Sequence, residues 1–159
     1  KHGGIKGWKL VLAGGVEVGV GDYLKKLEKE AESYPIEIIK SPDYKIVKSL
    51  YRKAKIFWSA AGFGVDEKKN PERMEHFGMT AVEAMAAGAV PIVFEAGGFR
   101  EIVKNGETGF LWESEKELIS LTEKLIGDKG QLLSFSNNAL LASKRYGYEK
   151  FKNEIVPLL

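Results

Sequence analysis

The chain has 159 residues with a formal net charge of +2, 44% hydrophobic and 29% charged. That is the make-up of an ordinary soluble globular protein with enough chain for one real core. The near-balanced charge leaves no electrostatic footprint for nucleic acid or an anionic membrane surface. The absence of cysteine excludes disulfides, thiol catalysis and cysteine zinc sites. Two histidines, His2 and His76, are too few for a histidine metal cluster. No segment approaches membrane-span length and no signal peptide is visible. The chain opens almost directly into a strand and does not begin with Met, which suggests a piece of a longer protein. Its Lys/Glu-rich surface would suit a thermophile.

In chain order, Trp8–Ala13 is a short apolar run ended by Gly14-Gly15, read as a buried strand. A helix follows from Asp22 as N-cap, with Leu24, Leu27 and Ala31 on one face. Ile36–Lys40 is a second strand. Ser41-Pro42 reads as N-cap plus Pro at the first helical position, opening a helix to about Ala54. Lys55–Ala60 is a third strand, and the polar, glycine-bearing stretch from Ala61 to Met74 a long loop. A helix runs from Gly78 to about Ala87 with Gly88 as C-cap, then a fourth strand, Val90–Phe94. Gly97-Gly98 turn into a short helix through Val103, and Phe110–Trp112 is a short strand. Ser114 with Glu117 makes a capping box for a helix ending near Gly127. The tail from about Lys129 to Val156 is helical in pattern, broken around Gly147. Strands alternating with helices predict an α/β fold, a doubly wound, mostly parallel Rossmann-like sheet with helices on both faces, as one domain over residues 1–159. Ligands of such sheets sit beyond the carboxyl ends of the strands, which singles out the loops Gly14–Gly21, Lys40–Pro42, Ala60–Phe77 and Glu95–Phe99.

The usual motifs are missing. There is no phosphate loop, Gly19-x-Gly21 does not complete a dinucleotide fingerprint, and no G-x-S-x-G elbow exists. No Asp-x-Asp pair is present, which weakens metal-dependent nucleotide chemistry. The stretch Met74–Gly98, MEHFGMTAVEAMAAGAVPIVFEAGG, is more informative. Between Phe77 and Phe94 its only ionisable side chain is Glu83. A lone carboxylate in an apolar helical run is costly unless paired. The backbone N–H groups of about Phe77 to Thr80 open the helix as an anion site suited to a phosphate or diphosphate. Glu83 lies roughly 7–8 Å along the axis. Its side chain leans back toward the crevice, where it could accept bonds from vicinal hydroxyls such as those of a ribose. Glu75, beside the anion site, suits a hydroxyl or a developing cation. Against this stands the plain reading of two solvent-facing helix and helix-start glutamates.

EHFGMTAVEAMAAGAVPIV followed by GGFREIVKNGETGFL strongly resembles the donor-binding domain of family-4 (group 1) retaining glycosyltransferases, of GT-B architecture. The hallmark is a pair of glutamates with seven residues between, here Glu75 and Glu83, and the signature runs from about Ser59 to Trp112. The resemblance implies transfer of a hexose from a UDP- or GDP-sugar to an acceptor hydroxyl with retention, without metal or other cofactor. It implies that Glu75 contacts the donor sugar at the reacting centre, that backbone at Phe77, Gly78 and Met79 binds sugar hydroxyls, that Met79 and Thr80 bind the diphosphate, and that Glu83 binds the ribose. Lys40 and Ser41 would lie by the base, and Gly14 and Gly15 would line the nucleotide crevice. Gly97, Gly98 and Glu101 match family positions and read mainly as turn and helix-start structure. Trp58 and Phe63 read as packing groups, and Lys68, Lys69 and Arg73 as a solvated charge run. Members carry a first strand with cations that clamp the diphosphate, and an acceptor-binding N-terminal domain; this chain starts after both. The acceptor, a glycan, lipid or small molecule, would be met by that absent domain. The reading places the parent enzyme in the cytoplasm, with the cytoplasmic membrane face as an alternative for a lipid-linked acceptor. Alternatives of function are a glycogen- or sucrose-synthase-like branch, a nucleotide-sugar epimerase of the same architecture, or a non-catalytic nucleotide-binding or interaction module.

Overall fold

The computed structural model describes residues 5–16 and 21–156. His2 and residues 17–20 of the expected Gly14–Gly21 loop lie outside the described residues. The chain forms two compact units, Lys1–Leu50 and Tyr51–Leu159.

In the first unit, β1 (Leu10–Gly14) and β2 (Ile36–Lys40) pair in parallel, from Leu10 beside Ile36 to Gly14 beside Lys40. Two parallel strands need a crossover, supplied by α1 (Gly21–Ala31). Asp22 lies inside the first turn of α1 rather than at its N-cap. α1 thus starts earlier than expected, whereas the second helix, α2 (Tyr44–Lys53), starts later. The Asp43 carboxylate, not Ser41, accepts the Ile46 N–H at 2.8 Å and caps it.

The second unit carries β3 (Ile56–Ser59), β4 (Val90–Phe94) and β5 (Phe110–Trp112) as a parallel sheet in the order β3-β4-β5. The helices between and after them are α3 (Met79–Ala86), α4 (Phe99–Ile102), α5 (Glu115–Gly127), α6 (Lys129–Ser143) and α7 (Tyr148–Ile155). The first four residues of β4 are all buried, so the strand reads as a continuous apolar run. Side-chain alternation then divides the core. Val93 faces Ala81 and Met85 of α3, Phe99 and Ile102 of α4, and Ala139 of α6. Val90 and Ile92 face Phe110, Trp112, Leu125 of α5 and Phe135 of α6. The sheet of this unit is therefore covered by helices on both faces. The expected α/β, Rossmann-like arrangement of parallel strands flanked by helices is what the chain adopts.

The expected stop of α3 and start of α5 are also present. α3 ends with Gly88 N–H on Met85 O and Ala89 N–H on Ala84 O, at 2.9 Å each. Ser114 Oγ accepts the Glu117 N–H at 3.3 Å. The Glu117 carboxylate returns to the Glu113 N–H at 3.0 Å, one residue earlier than a strict capping box. No helix among the described residues is long and apolar enough to cross a membrane.

Ile92 is fully buried at the centre of β4. Ile92→Ala is expected to cost about 2–5 kcal/mol in urea unfolding, from lost transfer free energy plus the residual cavity. A loss below about 1 kcal/mol would contradict that placement.

Candidate functional site

Some of the expected site residues lie in the first unit and some in the second, and each set is described by itself. At the carboxyl ends of β1 and β2, the Ser41 N–H donates to Gly14 O at 2.8 Å, and Ser41 Oγ accepts the Val16 N–H at 3.3 Å. Ser41 holds φ at +44°, a conformation L-residues seldom adopt. Gly14, Gly15, Lys40 and Ser41 are thus brought together. A Cβ at Gly14 or Gly15 would meet open space. Local packing therefore does not demand these glycines. The Lys40 ammonium is turned to α1, where it pairs with Glu28.

In the second unit the Glu75–Met79 segment crosses the carboxyl end of β4 and starts α3. Gly78 is the N-cap, at φ +87°, with its own N–H bonded to Glu75 Oε1 at 2.9 Å. The helix therefore begins one residue later than expected, and Glu75 caps it. Met79 and Thr80, at the first two helical positions, carry N–H groups with no acceptor inside the helix. The side chains of Phe77, Met79, Thr80 and Glu83 are exposed. Glu83 shares its face with Thr80, while Ala81, Ala84 and Met85 point into the core. The cost expected for a lone carboxylate in this run is avoided by that exposure. Glu75 lies at the helix start, and Glu83 stands clear of apolar surroundings.

The turn after β4 presses directly on this segment. The Gly98 N–H donates to Glu75 O at 2.8 Å. A Cβ on Gly97 would lie 2.2 Å from Glu75 O, and one on Gly98 2.6 Å from His76 O. Only glycines allow two backbones so close. Gly97 and Gly98 do more than the turn and helix start expected of them, since they carry the backbone of Glu75 and His76.

Glu67 was not foreseen. It lies in the long loop, yet its Oε1 accepts the Gly97 N–H at 3.1 Å and Arg100 Nη1 at 2.9 Å. Its Oε2 accepts Arg100 Nη2 at 3.0 Å, and Nη2 also donates to Glu95 O at 2.8 Å. This two-pronged bond is the geometry a guanidinium and a carboxylate make best. The Arg100 side chain holds the Glu67 carboxyl below its ordinary value of 4.5, the Gly97 N–H adds to this, and partial desolvation opposes both. Other charges of the loop are solvated as expected: Lys68, Lys69 and Arg73 are exposed, and Lys69 pairs with Asp66. Phe63 packs on Phe94 and Trp112, and Trp58 Nε1–H donates to Thr122 Oγ1 at 3.1 Å, so both are packing groups. The Phe77 ring stands edge-on to Tyr146, 5.8 Å between centroids.

Glu67, Met74, Glu75, His76, Gly97 and Glu101 are among the residues that line an open cleft of about 460 Å³. Among the described residues no group of three or more His, Asp or Glu is placed to hold a metal ion. An open helix start, a capping carboxylate and a second, exposed carboxylate on the same helix can bind an anion beside neutral hydroxyl groups.

A parallel α/β fold with a helix start open beyond the strand ends is the arrangement of α/β nucleotide-binding domains. Residues 5–141 match the family model of glycosyl transferases group 1, and the chain belongs to that family. Over 153 residues it is 28% identical to GDP-Man:Man(3)GlcNAc(2)-PP-Dol alpha-1,2-mannosyltransferase of Dictyostelium discoideum, covering 93% of this chain and 28% of that protein. Over 85 residues it is 33% identical to the lipopolysaccharide core biosynthesis mannosyltransferase LpsB of Rhizobium meliloti, covering 50% of this chain and 24% of LpsB. The chain thus spans less than a third of the length of either. Among solved structures, HepE of Anabaena in complex with UDP-glucose is similar, with a TM-score of 0.74 at 23% identity, covering 94% of this chain and 40% of HepE. The C-terminal domain of LpcC, a group 1 family protein of Francisella tularensis, gives 0.72 at 24% identity, covering 89% of this chain and 71% of that domain.

Because its folded-state pKa is lowered, Glu67 contributes its full stabilisation above 4.5 and loses it as pH falls through the lower folded value. The Gly97 amide resonance, followed by NMR from pH 7 downward, is expected to shift with a midpoint below 4.5. A midpoint at or above the ordinary value would show that the Arg100 bond does not persist in solution.

Proposed function

We propose that the 159 residues are one donor-nucleotide-binding domain of a family-4-type retaining glycosyltransferase. The parent enzyme transfers a hexose from a UDP- or GDP-sugar to an acceptor hydroxyl. The observation that carries this reading is the single segment that places Glu75, the open start of α3 and exposed Glu83 in succession, seated on Gly97-Gly98. Glu75 meets the donor sugar at the reacting centre. Backbone at Phe77, Gly78 and Met79 meets sugar hydroxyls, the N–H groups of Met79 and Thr80 meet the diphosphate, and Glu83 meets the ribose. Gly14, Gly15, Lys40 and Ser41 serve the base and the nucleotide crevice, where the open space beside both glycines leaves room for a ligand.

Catalysis in this reading is positioning plus stabilisation of charge on the departing diphosphate, through an oxocarbenium-like transition state and without a metal or other cofactor. Two of the similar proteins support a nucleotide-sugar donor, one a GDP-mannose enzyme and the other a structure holding UDP-glucose. The acceptor, whether glycan, lipid or small molecule, is met by parts of the parent enzyme beyond this chain, as is the cationic grip on the diphosphate. The parent works in the cytoplasm, at the membrane face if its acceptor is lipid-linked. A sucrose-synthase-like branch is the second reading. It is favoured by a 29% identity over 93 residues with a sucrose synthase of Denitrovibrio acetiphilus, which covers 54% of this chain and 12% of that protein.

In the full-length enzyme, Glu75→Ala is expected to lower kcat by about 10²–10³-fold, the scale of losing one preorganised group at a reacting centre. Glu83→Ala is expected to act mainly on donor KM, by about tenfold, which is roughly 1.4 kcal/mol. Wild-type kinetics in both variants would refute the assignments. The isolated chain is expected to transfer nothing, and calorimetry with UDP, GDP and their sugars separates the two bases.

A further inference from the structure

We propose that Glu67, in the loop before α3, is a positioning residue for the Glu75 reaction centre, acting through the Gly97-Gly98 turn. The inference rests on the reading of Glu75 as the group that meets the donor sugar. The route is a chain of contacts within the second unit. Glu67 Oε1 accepts the Gly97 N–H, and both its oxygens hold the Arg100 guanidinium at the start of α4. Arg100 Nη2 is tied in addition to Glu95 O at the end of β4. The turn between those anchors is therefore fixed at both ends. Its next N–H, that of Gly98, holds Glu75 O, and no Cβ separates the two backbones. Glu75 in turn spends its carboxylate on the Gly78 N–H at the start of α3.

The geometry distinguishes this role from that of a surface ion pair. An exposed Glu–Arg pair contributes little to stability by itself. Here the same oxygen that meets the guanidinium also takes a backbone N–H of the turn on which Glu75 rests. The consequence of losing it is displacement, and displacement of a reacting group by about 1 Å is enough to cost up to about a hundredfold in rate. Loops on their own position side chains poorly, so a brace across 30 to 33 residues of sequence has a clear use.

Two variants separate the brace from the ion pair. Glu67→Ala removes both. Glu67→Gln keeps an oxygen for the Gly97 N–H and removes the charge that pairs with Arg100. In the ligand-free full-length enzyme, deuterium uptake of peptides covering 74–79 and 95–100 is expected to rise in Glu67→Ala, to stay near wild type in Glu67→Gln, and to stay unchanged over β4 in both. With the nucleotide sugar that the wild type uses, Glu67→Ala is expected to lower kcat about tenfold and to change donor KM by less than about twofold, with most of the kcat recovered in Glu67→Gln. Wild-type uptake in Glu67→Ala overturns the brace. Equal losses of kcat in both variants overturn the route through Gly97 in favour of the ion pair. Raised uptake with unchanged kcat overturns the bearing of Glu67 on the reaction. Absence of donor use by the wild type refutes the proposed function, while the uptake measurement still decides the brace.

Discussion

The approach of two backbones at Gly97-Gly98 is the constraint on which the second unit's site depends. Glu75 O receives the Gly98 N–H where any side chain on Gly97 would overlap it. This contact fixes where the segment before α3 lies relative to the end of β4. The segment's other groups follow from it. Gly78 takes a left-handed conformation against Phe99 and Ile102, leaving no room for a Cβ. The chain must then turn at once into α3, and the first N–H groups of that helix open beyond the strand ends. Phe99 and Ile102 are themselves buried in the core with Val93 and Met85. The packing that stabilises the unit is thus the packing that aims the helix start.

The rest of α3 shows how an apolar helix carries a polar face. Its small residues, Ala81 and Ala84, let it lie close to its neighbours, and Met85 fills the remaining core space. On the outer face Thr80 and Glu83 are exposed, beside the exposed side chain of Met79. A carboxylate on that face is solvated and available, with no burial cost to offset. Its worth to a ligand then depends on water being excluded when the ligand arrives, since a solvated carboxylate gains little from exchanging one hydroxyl partner for another.

Much of this was legible in local sequence, and the limits are physical. β4 was visible as an apolar run because it is buried on both faces, and Ser114 announced α5 because a cap and its helix are neighbours in sequence. Ser41-Pro42 reads in sequence as the start of α2, with Ser41 as its cap. The choice fell to Asp43 because Ser41 is held elsewhere, bonded to Gly14 and Val16 across the strand ends. That competition is tertiary and leaves no local mark. The family signature placed Glu75, Gly78 and Glu83 in one segment, but it gave no hint that Glu75 would cap the helix. Glu67 and Arg100 stood in a charged loop and a short helix with nothing to join them, since a contact across 33 positions has no periodicity to betray it. Glycine pairs after strands are usually turns, and only the distance to Glu75 O shows why these two must be glycine.

One N–H, that of Gly78, is claimed twice. In the ligand-free chain it serves the Glu75 carboxylate, and in the proposed donor complex it serves a sugar hydroxyl. The first arrangement satisfies a helix-start donor and a carboxylate together, which favours it in the absence of ligand. In that reading a sugar hydroxyl at this N–H takes the place of the Glu75 carboxylate. The exchange is close to even in hydrogen bonds, because the freed carboxylate can accept from the same sugar whose hydroxyl oxygen takes the N–H. In that reading it is uneven in position, since the Glu75 carboxylate leaves the Gly78 N–H for a proton-bearing partner. A backbone held by Gly98 lets the side chain make that move while the main chain stays in place. The glycine turn thus does for Glu75 what a rigid strand does for residues that need no motion: it separates where the residue is from where its carboxylate points.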